Sequence, residues 1–169
     1  MLPSVTMTRA KTSKAALKRE LLALLKRQLE TSERSQRDAH AGAIHEEAKA
    51  EDDKDTRALE LSYLARGQAT RVTELHEALG AIEALKLSAL REGDSITVGA
   101  LVLVEDEDGE TQTLFLLPHG AGNKLAKGTV QIATLRSPLG EALLGRHAGD
   151  SVEVPRGKAI RELSIVAVR

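Results

Sequence analysis

Four carboxylates crowd into the seven residues from Glu51 to Arg57, namely Glu51, Asp52, Asp53 and Asp55. At neutral pH such a cluster repels itself unless a cation or a basic partner lies close to it. Carboxylate oxygens are the ligands that Mg²⁺ prefers, but an octahedral ion needs more of them than one short segment supplies. The pattern is therefore compatible with part of a metal site that another molecule completes. The alternative is a hydrated segment that caps the next helix.

Long helix-forming runs flank this acidic segment. No proline occurs between residues 13 and 90, and Ala, Leu, Glu, Lys, Arg and Gln dominate, which is typical of helices. We predict one helix over Lys14–Ala50 and a second over Thr56–Leu87. Two such helices joined by a short segment fold back on each other, so the acids would lie at the tip of an antiparallel hairpin, at about residues 51–55.

A seven-residue repeat predicts how the two helices pair. The second helix carries two series, Leu61, Gln68, Leu75 and Ile82, and Ala65, Val72 and Leu79. The first helix carries a weaker series of mostly small side chains, Leu21, Leu25, Gln28, Ser32, Ser35, Ala39 and Gly42. Such repeats are typical of a coiled-coil seam. Thr12 or Ser13 can cap the start of the first helix.

The pattern changes to that of a small β domain after about residue 90. Apolar and β-branched residues predict strands over Ser95–Val104, Thr111–Leu117, Val130–Thr134, Ser151–Val154 and Ala159–Val168. Asp108-Gly109 predicts a hairpin turn, and Pro138 predicts the start of a short helix. The fold class is therefore α+β: a long helical hairpin in residues 1–90 and an antiparallel β-sheet domain with a short helix in residues 91–169.

Composition excludes several classes of function. The net charge of −1 argues against a protein whose whole surface binds nucleic acid, and no segment has the ~20 apolar residues that span a bilayer. Cysteine is absent, which excludes a cysteine nucleophile, and the histidines lack metal-ligand spacing. The stretch 120–124 matches neither common nucleotide-binding loop. No GxSxG or comparable nucleophile setting occurs, so the chain does not look like a self-sufficient hydrolase. We therefore expect a soluble, cytoplasmic protein.

One C-terminal stretch matches a known signature. Residues 137–154 read SPLGEALLGRHAGDSVEV and resemble the pattern SP-x-[AG]-x-x-L-[IL]-G-x-x-x-G-D-x-[VA]-x-V of the bacterial Gre transcript-cleavage factors. With the helical hairpin, the resemblance covers nearly the whole chain. It implies an N-terminal antiparallel coiled coil and a C-terminal domain similar to the FKBP fold.

The resemblance also implies a partner and a mode of action. Gre factors dock through the C-terminal domain on the rim of the secondary channel of bacterial RNA polymerase, and their coiled coil enters that channel. Two tip carboxylates help to hold a second Mg²⁺ beside a backtracked RNA 3′ end, and the polymerase itself cleaves the transcript. We therefore expect a monomer that is not itself an enzyme, binds no cofactor alone and shares Mg²⁺ with the polymerase. Contact with the nascent RNA 3′ end would be indirect, without membrane binding or sequence-specific DNA binding.

The resemblance assigns the catalytic and metal-binding roles to acids of the tip. Asp52 and Asp55 have the three-residue separation of the family's acidic pair, and Asp53 could substitute for either. Counting back without gaps from RVTEL at residues 71–75, which resembles the family's GRIxEL, instead aligns Glu51 and Lys54 with that pair. The tip also lacks the family's usual G-D-L-x-E-N-A-E-Y sequence.

Two further sets of residues are candidates for contact with the polymerase. The first is a docking loop of Ser137, Pro138, Leu139 and Gly140, because proline at a helix start gives a rigid edge. A purely structural helix cap is the alternative. The second is a basic face of the first helix that could contact polymerase or RNA phosphate, formed by Lys26, Arg27, Arg34 and Arg37. A solvated helix face is the alternative there.

Three functions remain open on the sequence alone. The leading interpretation is a factor that stimulates cleavage of backtracked RNA by the polymerase. The second is an inhibitor that occupies the same channel, since carboxylates held too close to a metal could block nucleotide addition. The third is a coiled-coil adaptor that does not act on polymerase.

Overall fold

The computed structural model describes residues 13–47, 56–91, 93–157 and 159–169. Two long helices, α1 (Lys14–Glu47) and α2 (Thr56–Ala84), are followed by a six-stranded sheet and one short helix. The remaining elements are β1 (Leu101–Asp106), β2 (Thr111–Leu117), β3 (Lys124–Leu125), a single 3₁₀ turn (Ala126–Gly128), β4 (Val130–Thr134), α3 (Pro138–Leu143), β5 (Ser151–Arg156) and β6 (Ala159–Val168). The predicted α+β architecture is confirmed. No helix in the described ranges has the length and apolarity needed to cross a membrane.

The helical pair follows the predicted seam closely. The Ser13 hydroxyl accepts the N–H of Ala16 at 3.1 Å and caps α1. On α2 every predicted seam residue is buried or half-buried, with Leu75, Leu79 and Ile82 fully inside. On α1 one prediction is wrong, because Ser35 is exposed while Gln36 is half-buried. A helix of 3.6 residues per turn drifts relative to a seven-residue repeat, which accounts for this shift by one position.

The second helix ends at Ala84, three residues before the predicted end at Leu87. The Lys18 ammonium donates to the carbonyl oxygens of Glu83 at 2.9 Å and Leu85 at 2.7 Å. A cation satisfies the free carbonyls at a helix C-terminus and is favoured there by the helix dipole. The end of α2 is therefore fixed by a side chain of α1.

The sheet is mixed rather than wholly antiparallel. Its strand order is β3-β4-β2-β1-β6-β5, and β2 pairs with β4 in parallel, with Phe115 opposite Ile132. The parallel pair arises because the chain turns back through β3, which is antiparallel to β4, before β4 runs beside β2. β1 begins at Leu101 instead of Ser95, because Gly99 has φ 85° and turns the chain just before it.

Each face of the sheet packs into its own hydrophobic cluster. Leu101 and Phe115, a cross-strand pair, lie on the face that meets the helical hairpin. Their neighbours Val102 and Leu114 lie on the opposite face, which α3 covers through Leu143. Because both faces are covered, β2 contains a continuous buried run from Leu114 to Leu117 rather than an alternating pattern.

The β1–β2 turn is organised by Asp106. One carboxylate oxygen accepts the N–H groups of Asp108 at 3.1 Å and Glu110 at 2.9 Å, while the other accepts from the Arg161 guanidinium at 2.6 Å. The predicted turn at Asp108-Gly109 is confirmed, with Gly109 at φ 79°. The side-chain hydrogen bond from Arg161, followed by the backbone N–H of Glu110, holds the pKa of Asp106 below its ordinary value of 3.8.

This ion pair predicts a pH-dependent stability. Because the pKa of Asp106 is lowered in the folded state, its contribution is present above the ordinary carboxyl pKa and is lost as the pH falls through the folded-state pKa. We expect Arg161→Gln to lower the urea midpoint near neutral pH, and the difference from the parent to shrink in acid. Arg146→Gln is the control, since the Arg146 side chain bonds none of the described residues. A difference that does not change with pH would contradict the assignment.

Candidate functional site

The predicted catalytic acids Asp52, Asp53 and Asp55 lie outside the described residues, as do Glu51 and Lys54 of the alternative alignment. They belong to the segment that joins the end of α1 at Glu47 to the start of α2 at Thr56. Within the described ranges, no group of three His, Cys, Asp or Glu side chains could hold a metal ion.

The two ends of the hairpin differ in what surrounds them. Near the sheet, Leu17, Leu21 and Leu25 are buried together with Leu75 and the apolar residues of β2 and β4. The last polar contact between α1 and the sheet domain is made by Gln28, which donates to the Asn123 amide oxygen at 2.9 Å. From Gln28 to Glu47 the helix extends roughly 28 Å further. The ends that flank the acidic segment are thus remote from the sheet.

The predicted docking loop forms the N-terminal turn of α3. The Ser137 hydroxyl accepts the N–H of Gly140 at 3.1 Å and donates to the carbonyl oxygen of Thr134 at 2.7 Å. Pro138 occupies the first helical turn, where its missing N–H costs nothing. The helix cap that was considered as the alternative is therefore present, and it fixes the shape of the loop.

The four loop residues differ in what they present to a partner. Gly140 is buried, and a Cβ added to it would overlap the Thr134 carbonyl oxygen. Leu139 packs partly against the cluster beneath α3, whereas Pro138 is exposed. Ser137, Leu139 and Gly140 thus hold the turn, and Pro138 is the member whose side chain is exposed.

The predicted basic face is exposed along α1. Arg27 and Arg34 are seven residues apart and so share one stripe of the helix, and Arg37 is exposed one turn further on. Lys26 faces α2, where its ammonium lies 3.5 Å from the Glu83 carboxylate. Both partners are more than half exposed, so the pair contributes little to stability.

Two surface pockets lie beside the end of the hairpin that packs on the sheet, and their lining includes residues that sequence analysis did not identify as a site. A shallow groove is bordered by Arg27 and Arg71. A crevice of about 590 Å³ separates the hairpin from the loops before β3 and α3, and its polar lining includes Arg71, His119, Asn123 and Arg136. The crevice adjoins the docking loop, because Thr134 and Arg136 form its edge. These residues come from segments distant in the sequence, so no local pattern could reveal them.

Gln28 carries an unsatisfied acceptor beside this crevice. Its Oε1 is buried without a hydrogen-bond partner among the described residues. Exchanging the amide N and O atoms would not help, because the Asn123 amide nitrogen already donates to the Gly120 carbonyl at 3.1 Å. The geometry therefore fixes the Gln28 side chain as a donor to the loop.

Two long helices beside a mixed six-stranded sheet, with an exposed proline at the start of the short helix α3, define an α+β protein built from a helical hairpin and a sheet domain. Residues 91–169 match the family model described as "Transcription elongation factor, GreA/GreB, C-term". The GreA transcription elongation factor of Azorhizobium caulinodans is 34% identical over 112 residues, which cover 66% of this chain and 67% of that protein. The chain belongs to the GreA/GreB family of transcription elongation factors.

The match to other relatives is less extensive. GreA of Rhodospirillum rubrum is 37% identical over 98 residues, covering 57% of this chain. The chain spans 60% of the length of that relative. The solved structure of the GreA factor homolog 1 (Gfh1) protein of Thermus thermophilus is 24% identical, with 88% of this chain and 94% of that chain covered at a TM-score of 0.37. The family assignment rests on the sequence matches.

The surroundings of Gly140 in α3 and Gly80 in α2 predict that the same substitution, glycine to alanine, changes the stability of the protein in opposite directions. Gly140→Ala should lower stability by about 2 kcal/mol or more, because the added methyl group meets a backbone carbonyl that cannot yield easily. Gly80→Ala in α2 should raise stability by about 0.5–1 kcal/mol, since no atom lies within 4 Å of its added Cβ and alanine favours the helix. Urea unfolding of both variants tests this. Equal effects at the two sites would refute the described turn.

Proposed function

We propose that this chain binds RNA polymerase through the secondary channel and stimulates the polymerase's own cleavage of backtracked RNA. Family membership supports action in transcription elongation. The observation that supports the finer proposal is that the chain enters the acidic segment from Glu47 and leaves it at Thr56, two helix ends that are remote from the sheet. An arm of this form can carry carboxylates away from the surface that anchors the protein.

The proposed contribution of this chain is to deliver ligands rather than to build a site. Asp52 and Asp55 would share a Mg²⁺ with the polymerase, and Asp53 could replace either of them. Carboxylate oxygens fit this ion, but two or three of them leave most of an octahedral shell to other molecules. When bound, the ion supplies charge stabilisation and an activated water for attack on a phosphodiester. The contribution of the chain would be to limit where the ion can lie, because the carboxylates are attached between the ends of α1 and α2.

Anchoring is assigned to the exposed edge of α3. The cap made by Ser137 and the close packing of Gly140 hold Pro138 at the surface in one conformation. A preformed edge loses little conformational entropy on binding. The basic stripe of Arg27 and Arg34, with Arg37 beyond it, lies between this anchor and the acidic segment, where polymerase or RNA phosphate would attract it.

One sequence feature favours a second candidate function. The tip has four acids in seven residues and lacks the family's usual tip sequence. Carboxylates so concentrated could hold a metal too tightly for water attack and block nucleotide addition. The chain would then be an inhibitor that binds the same channel. An adaptor without any effect on polymerase is the remaining alternative.

Removing the tip acids distinguishes these functions. Stalled elongation complexes with backtracked RNA are incubated with Mg²⁺ and the parent chain, and RNA shortening and extension are followed on gels. Stimulation of cleavage should fall at least about tenfold in Asp52→Ala/Asp55→Ala, because a lost metal ligand costs several kcal/mol of charge stabilisation. Asp38→Ala, which removes an exposed acid from α1, is the matched control. Slower extension without shortening by the parent would support the inhibitor, and no effect on either would support the adaptor.

The anchoring role of Pro138 has a separate test. Pro138→Glu places a charge on the exposed edge of α3, where an acidic residue is tolerated in the first helical turn. We expect thermal stability within about 1 kcal/mol of the parent, together with weaker binding to polymerase in a competition assay. Glu141→Gln on the same helix is the control. Unchanged affinity of Pro138→Glu would rule out this edge as the docking surface.

A further inference from the structure

A strained loop lies where the hairpin meets the sheet. Directly after β3, Ala126, Lys127 and Gly128 have φ values of 50°, 57° and 94°. Glycine adopts such angles freely, but in Ala126 and Lys127 the Cβ atom crowds the backbone. Strained conformations of this kind persist only where surrounding contacts hold them.

Glu20 of α1 makes the holding contact. Both of its carboxylate oxygens lie 3.1 Å from the backbone nitrogen of Ala126 and share its N–H. A hydrogen bond to an ionised acceptor is stronger than one between neutral groups. The preceding residue, Leu125, is fully buried in the cluster beneath the hairpin. The strained loop is thus attached to α1 through an apolar side chain and a directional polar bond.

We propose that Glu20 is a positioning residue that sets the direction of the hairpin relative to the sheet, acting through the loop Ala126–Gly128. Glu20 and Gln28 bind the segment 120–128 at two points about 12 Å apart along α1. A helix held at two points cannot pivot about either one. The leucines between them supply attraction, but hydrophobic contact is non-directional and does not fix an angle.

The length of the arm amplifies any error at its base. From Glu20 to Glu47 the helix extends about 40 Å, so a rotation of about 10° at Glu20 would move the far end by about 7 Å. Catalytic groups lose activity when displaced by far less. An effect of Glu20 on transcript cleavage rests on the proposed function. An effect of Glu20 on the direction of the hairpin does not depend on that function.

The absence of cysteine allows a direct measurement on the full chain. Spin labels at Ser35→Cys on α1 and Ser151→Cys on β5, both exposed positions, report the angle by pulsed dipolar spectroscopy. We expect one narrow distance distribution in the parent and a broader or displaced one in Glu20→Ala. Glu20→Gln, whose amide oxygen can still accept the N–H of Ala126, should stay close to the parent. Glu30→Ala is the control, because Glu30 is exposed on the same helix and bonds none of the described residues.

Hydrogen exchange tests whether Glu20 holds the strained loop. The amide of Ala126 should exchange about tenfold faster in Glu20→Ala than in the parent. Adding Lys127→Gly removes strain at that position, so the double variant should recover part of the lost protection. Distances and exchange in Glu20→Ala that match the parent would overturn the proposal. A double variant that exchanges as fast as Glu20→Ala would overturn the role of strain.

Transcript cleavage then separates this inference from the proposed function. If the parent stimulates cleavage, Glu20→Ala should stimulate less at saturating concentration although Asp52 and Asp55 are intact. A parent without stimulation would refute the proposed function, and the distance measurement would still decide the role of Glu20. A stimulating parent with unchanged distances in Glu20→Ala would refute only the positioning role.

Discussion

The leucine stripe at the base of α1 joins the two parts of the protein. Leu17, Leu21 and Leu25 are at most 2% exposed because they contact α2 on one side and the sheet on the other. Burying each of them contributes about 1.5–3 kcal/mol. The hairpin therefore begins inside the core of the sheet domain rather than at the end of a linker. Further from the sheet, the hairpin buries small side chains such as Ala39 and leaves Leu59 and Tyr63 exposed. The hydrophobic contacts that stabilise the hairpin are therefore concentrated at Leu17, Leu21 and Leu25.

Polar contacts add direction to this attraction. Three side chains of α1 make these contacts. Lys18 donates to a carbonyl at the C-terminal end of α2, Glu20 accepts the N–H of Ala126 after β3, and Gln28 donates to Asn123. Each bond joins α1 to a segment that lies at least 65 residues away in the chain. Together these three bonds fix the start of the hairpin, from Lys18 to Gln28, against the rest of the protein. In the proposed mode of action, the base determines where the carboxylates at the free end arrive.

The features that sequence predicted well are those encoded locally. The seam of α2, the strand Thr111–Leu117 and the turn at Asp108-Gly109 each follow from periodicity or from residues close together in the chain. The parallel pairing of β2 with β4 was not predictable in this way, because it depends on how the chain returns through β3. The bond from Glu20 to Ala126 spans 106 residues, and no sequence pattern marks either partner. The choice between Asp52 and Asp55 or Glu51 and Lys54 as the acting pair is a matter of alignment that periodicity cannot decide.

The most direct test of the central claim is the distance between the hairpin tip and the catalytic metal of RNA polymerase. A single spin label at Lys54→Cys is the only one the chain would carry, since it has no native cysteine. In a complex whose active-site Mg²⁺ is replaced by Mn²⁺, the account predicts strong relaxation enhancement of this label and little for a label at Ser151→Cys. Enhancement at Ser151 but not at residue 54, or at neither, would contradict delivery of the acids into the active site.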